Sequence, residues 1–237
     1  MRRLGWALNL GLVITGIAAL GQGAVAGSSD TSRTITIQVH NYAVVDKKTL
    51  LEAEKVATTI FRNAGVESQW TDAALASQPG QDNATEQESC ELSHLRVNIL
   101  PRPMANYVLR GDVTGFAPGD EPDRQLVYVL YDKVQDLAGR LALIGRTGNQ
   151  ATNQAQILGH VIAHEIGHVL LNLIGHSKTG IMRGNWDLRD LQQASHGYLL
   201  FTAAQAETIR SEVARRTNVQ GNPKGEQTEV ASEEKVR

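Results

Sequence analysis

Residues Ala163–Met182 read AHEIGHVLLNLIGHSKTGIM, and the rest of the chain is read outward from them. His164 and His168 are four apart, a spacing that on an α-helix places two side chains one above the other on the same face. Two imidazoles so placed can reach one metal ion, and Glu165 stands beside the first of them. A carboxylate next to a metal-activated water is what a zinc hydrolase needs.

The pattern predicts a long helix over Asn153–Ile174, with Thr152 or Asn153 as N-cap and Gly175 just past its end. Apolar residues surround it almost completely, so it belongs in the middle of the domain. Gly159 and Gly167 each cost about 1 kcal/mol relative to Ala inside a helix, which implies that something packs closely at both.

Two histidines do not complete a catalytic zinc site, which takes three protein ligands and leaves a fourth position open. His176 directly follows Gly175, where the chain is free to turn back toward the metal. His160 lies on the same helix face, but one turn rises about 5.4 Å, which suits it to a packed or cleft-lining role. His196, Asp187 and Asp190 are the more distant alternatives.

On these residues the chain resembles the metzincin metallopeptidases, and among them the matrixins. HEIGHVLLNLIGHSKTGIM is similar to the matrixin pattern HExGHxLGLxHS followed by a Met-turn ending in LM. The third histidine of that pattern lies six residues after the second; His176 lies eight after His168, and Leu171 replaces the usual glycine. The turn to Met182 is correspondingly shorter. The resemblance implies that His164, His168 and His176 bind Zn2+, that Glu165 is the general base, and that Met182 lies beneath the site. It also implies that Thr114, Gly115, Phe116 and Ala117, before Pro118-Gly119, form a substrate-binding edge strand. Where some metzincins carry an oxyanion-stabilising tyrosine two residues after the Met, this chain has Gly184; Arg183, His196 and Tyr198 are the possible substitutes.

Around this centre, Thr34–Val39 alternates polar and apolar residues as a half-buried strand does. Leu50, Ala53, Val56, Ala57, Ile60, Phe61 and Ala64 recur at helical spacing and stop at Gly65, a natural C′ residue. Val66–Trp70 and Leu95–Ile99 read as further strands, Asp112–Ala117 as a short strand closed by Pro118-Gly119, and Gln125–Tyr131, apolar on both faces, as an interior one. Thr71–Glu91 reads as a surface loop, with Pro79-Gly80 and an Asn83-Ala84-Thr85 glycosylation pattern. Trp186, Leu188, Leu191, Leu199 and Leu200 supply a small subdomain under the long helix. The capping box Thr202-Ala203-Ala204-Gln205 opens a last helix to about Arg216.

Met1-Arg2-Arg3, the apolar run Leu4–Leu20 and Ala24-Val25-Ala26 describe a signal peptide over residues 1–26. Residues 33–216 form the peptidase-like domain, and 217–237, polar and without an apolar face, a disordered tail. With Cys90 the only cysteine, no intramolecular disulfide is possible. A formal charge of -2 gives no basic excess that would suggest nucleic acid or an anionic membrane as partner.

The fold class expected is α+β and metzincin-like, a mixed β-sheet with a long active-site helix and a small C-terminal helical subdomain. The function expected is that of a secreted or periplasmic zinc endopeptidase acting on a protein or peptide. The alternative is a secreted zinc-binding or interaction protein on a peptidase scaffold with little catalysis.

Overall fold

Alternation in the strands decides which face of the sheet is covered. In β1 (Thr34–Asn41), Ile35, Ile37 and Val39 are buried while the residues between them are half-buried. The computed structural model describes residues 33–72, 93–104, 113–118, 125–143, 150–172 and 175–220. Residues 1–26, Cys90, the glycosylation pattern at Asn83, Asp112, Gly119 and the chain beyond Gln220 lie outside the described residues.

Helix α1 (Lys47–Asn63) follows β1, with the Asp46 carboxylate accepting from Thr49 N at 3.0 Å as N-cap. It ends as expected at Gly65, whose φ of +80° is the left-handed conformation that glycine supplies without strain. Strand β2 (Glu67–Asp72) runs two residues into the expected loop and pairs parallel with β1. Strands β3 (His94–Leu100) and β5 (Leu126–Leu130) continue the parallel set, and the two-residue β4 (Gly115–Phe116) closes the edge antiparallel to β5. The order is β2-β1-β3-β5-β4, a five-stranded mixed sheet as expected.

Residues 132–152 carry no expected element before the N-cap. The structure has helix α2 (Tyr131–Leu143) there, starting where β5 ends, with Val134, Ala138 and Leu141 buried. The long helix α3 spans Gln150–Leu171, so it starts and stops three residues earlier than expected. Helices α4 (Leu188–Ser195) and α5 (Ala203–Gln220) follow. The capping box of α5 is present, with Thr202 N donating to Gln205 Oε1 at 2.9 Å and Gln205 N to Thr202 Oγ1 at 3.3 Å. This helix continues past Arg216 through the first residues of the segment expected to be a disordered tail.

The core joins Ile35, Ile37, Val97, Ile99, Val127 and Val129 of the sheet to Ala57, Ile60 and Phe61 of α1 and to Ile157, Leu158, Val161 and Ile166 of α3. The close packing expected at Gly159 is the crossing of α1: a Cβ added there would lie 2.5 Å from Ala53 O and 2.6 Å from Val56 Cβ. Gly159→Ala should therefore destabilise the protein by about 1–3 kcal/mol of overpacking, outweighing the gain of about 1 kcal/mol in helix propensity. A denaturation midpoint equal to or above the parent's would show that the two helices can separate at no cost.

Candidate metal centre

α3 brings His164 and Glu165 into the interior, 4% and 3% exposed, with His168 half-buried one turn on. The helix does not continue to Gly175. It stops at Leu171 because Asn172 takes a φ of +50°, a left-handed conformation that Asn accepts more readily than most side chains. The terminating residue is thus Asn172, one place after the usual matrixin glycine. Arg216 of α5 donates from Nη2 to Val169 O at 3.4 Å, satisfying one of the carbonyls left open at the helix end.

His176 then returns to the helix. Its ring centroid lies 5.3 Å from that of His164 and 4.9 Å from that of His168, and one nitrogen from each of the three rings falls within 4.8 Å of the others. His164 Nε2 and His168 Nε2 are 3.2 Å apart. Two nitrogens bound to one tetrahedral zinc at about 2.0–2.1 Å are separated by roughly 3.3–3.4 Å, so this spacing fits a shared ion. The remaining His164 nitrogen, Nδ1, donates to Ile181 O at 2.7 Å, which fixes the tautomer and leaves Nε2 as a lone-pair donor to a metal. Trp186 Nε1 donates to the same carbonyl at 3.2 Å, steadying the acceptor that orients His164.

Glu165 points toward the sheet edge. A Cβ added at Gly115 would come within 2.8 Å of its Cγ and its Oε1, so β4 lies directly over the carboxyl group. Burial pushes the Glu165 pKa up to about 8. The expected edge-strand residues are found at this edge: Thr114 O accepts from Leu130 N at 2.9 Å, Gly115 and Phe116 form β4, and Ala117 follows, half-buried. Phe116 stacks on Tyr128 with centroids 4.5 Å apart.

Met182 is fully buried, and its Sδ would lie 2.5 Å from a Cβ at Gly167, so the second helix glycine makes room for the Met182 side chain. The turn is held by Ile181 N donating to Leu200 O at 2.9 Å and Arg183 N to Gly180 O at 3.1 Å.

The alternative ligands are engaged elsewhere. Asp187 and Asp190 form the capping box of α4 and both accept from Arg183 Nη1, at 2.9 and 2.7 Å. His196 caps the same helix and stacks on the exposed Tyr198. His160 is fully buried, with Nδ1 2.7 Å from Gln156 O and its ring edge-on to Trp186. Asn172, Trp186 and Gly184 help to shape the centre without having been singled out as site residues. The only sequence signal for Asn172 was its place next to the missing glycine.

Burial lowers the pKa of His160 to about 4 from an ordinary 6.5. As pH falls from 6.5 toward 4 the unfolded chain therefore binds a proton that the folded one excludes, and stability is lost across that window. His160→Phe should flatten this part of the stability–pH curve, measured by denaturation of the chelator-treated protein. An unchanged slope would place the titration elsewhere.

No protein-family model matches the chain, and no curated protein matches it. Among solved structures it is similar to the crystal structure of a zinc-dependent peptidase from Methanocorpusculum labreanum (strain Z). That likeness has 14% identity, covers 73% of this chain and 99% of the other, and has a TM-score of 0.46.

Proposed function

We propose that this chain is an exported zinc-dependent endopeptidase of metzincin type, which hydrolyses peptide bonds of a protein or peptide substrate. The observation that carries the reading is the convergence of His164, His168 and His176 within 4.8 Å beside a buried Glu165. A purely structural three-histidine site has no use for an adjoining carboxylate. The matrixin-like sequence pattern over the same residues supports the family, and the run Met1–Ala26 supports export. Among the described residues no helix is long and apolar enough to cross a membrane.

In this reading the three histidines hold the ion. Bound zinc supplies Lewis acidity, acidifying water and polarising a carbonyl. Glu165 would take the proton of the attacking water and pass it to the leaving amide nitrogen. β4 is an edge strand of the sheet and lies over Glu165, so an extended substrate paired along it would bring a backbone carbonyl past the carboxyl group.

The test is metal analysis of the purified protein together with cleavage of casein and a peptide library, with and without a chelator. One zinc per chain and chelator-sensitive cleavage are expected. Zinc uptake without cleavage would favour the alternative, a secreted zinc-binding protein on a peptidase scaffold, and absence of zinc uptake would overturn both.

A further inference from the structure

The segment that carries His176 is closed on itself. Ser177 N donates to Met182 O at 2.8 Å, and Ser177 forms an isolated bridge with Arg183, so the residues beside His176 are clasped to the end of the Met-turn. Gly184 comes immediately after this clasp. A Cβ built at Gly184 would lie 2.8 Å from Cγ, 2.9 Å from Nδ1 and 3.3 Å from Cβ of His176. Among the described residues the glycines with positive φ are Gly65, Gly180 and Gly197, so Gly184 is not needed for its backbone conformation. What its missing side chain leaves is room for an imidazole. Gly175, on the other side of His176, is different: a Cβ there would meet nothing within 4 Å.

We propose that Gly184 is a positioning residue for the third metal ligand, its bare α-carbon forming the seat on which the His176 ring rests. The proposal builds on the three-histidine site described above. Ordinary contact begins at 3.4 Å, so a methyl group at position 184 drives the ring back by about 0.6 Å from its present 2.8 Å. Metal–ligand distances tolerate only about 0.2 Å. The clasp at Ser177 keeps the loop from moving as a unit to restore the distance. In a chain whose His168–His176 spacing is two residues longer than the matrixin pattern, this seat, more than the spacing, decides where the third nitrogen stands.

The experiment is a zinc titration against a competing chromophoric chelator for the parent, Gly184→Ala, Gly175→Ala, His176→Ala and the His176→Ala/Gly184→Ala double variant. Gly184→Ala should bind zinc about 10–100-fold more weakly, the range typical of lost support around a ligand. Gly175→Ala should match the parent, and in the His176→Ala background the Gly184 change should add no further loss. Far-UV circular dichroism and the Tm of the chelated proteins should be unchanged, showing that the fold is intact. In the same chelated samples the His176 imidazole C–H resonances should move in Gly184→Ala and stay in place in Gly175→Ala. Parental zinc affinity in Gly184→Ala, or an equal loss when His176 is absent, overturns the proposal. If the parent takes up no zinc, the metal-site reading falls by itself, and the resonances still decide the seat: unmoved His176 signals reject it.

Discussion

Glu165→Gln is expected to lower peptide cleavage by about 10²–10⁴-fold while the protein keeps its zinc, because the change removes a general base and leaves the ligands in place. Glutamine preserves the volume of a side chain that is 3% exposed and packed against the α-carbon of Gly115, so the helix and β4 need not move. It also removes the cost of burying an ionisable carboxyl group, so the chelated variant should be at least as stable as the parent at pH 8. The combination is diagnostic. Lost activity with normal metal content and unreduced stability assigns the proton transfer to this carboxyl group, whereas full activity in the variant places the base elsewhere. Gly115→Val makes a useful companion, since any Cβ there meets Tyr128 O at 2.4 Å as well as Glu165. It should disturb the strand edge and the carboxyl group together.

His164→Ala and His168→Ala should each abolish stoichiometric zinc binding, read as metal content after desalting and as loss of zinc-dependent stabilisation. At free zinc 1,000 times the dissociation constant, binding to the folded state alone raises stability by about 4 kcal/mol, and neither variant should show it. The two are not equivalent without metal. His164 is buried and donates to Ile181 O, so its removal leaves a cavity and withdraws one of two donors from that carbonyl. His168 is half-buried. In excess chelator His164→Ala should therefore be the less stable of the two. Retention of one zinc per chain in both variants would dismiss the centre altogether.

Much of the centre was legible because a short stretch of one helix writes it: His164, Glu165 and His168 are related by the helical repeat, which needs no tertiary information. The strands around Ile37, Val97 and Val127 were legible for a similar reason, since alternation or a short apolar run announces them. Helix α2 was equally periodic, with Val134, Ala138 and Leu141 spaced four and three apart, yet it starts without a break where β5 ends, with no Gly or Pro between the two elements. The end of α3 was misplaced because Gly175 is the stronger stop signal by composition, while the chain turns at Asn172. Only the local environment could favour a left-handed asparagine over three more helical residues.

What the sequence determined by itself is the chemistry available on α3: two imidazoles and a carboxyl group on a helix too apolar to lie anywhere but inside. The third histidine is of another kind. His176 is separated from His168 by a helix end and a turn, and no repeat fixes its direction. Its position is set by the Ser177–Met182 hydrogen bond, the Met182 packing at Gly167 and the open α-carbon of Gly184. The sheet edge over Glu165 is likewise tertiary, because β4 lies fifty residues away along the chain at Gly115 and meets the helix only through its pairing with β5. Local periodicity propagates along one element, whereas the convergence of separate elements depends on close contacts that a linear sequence does not display.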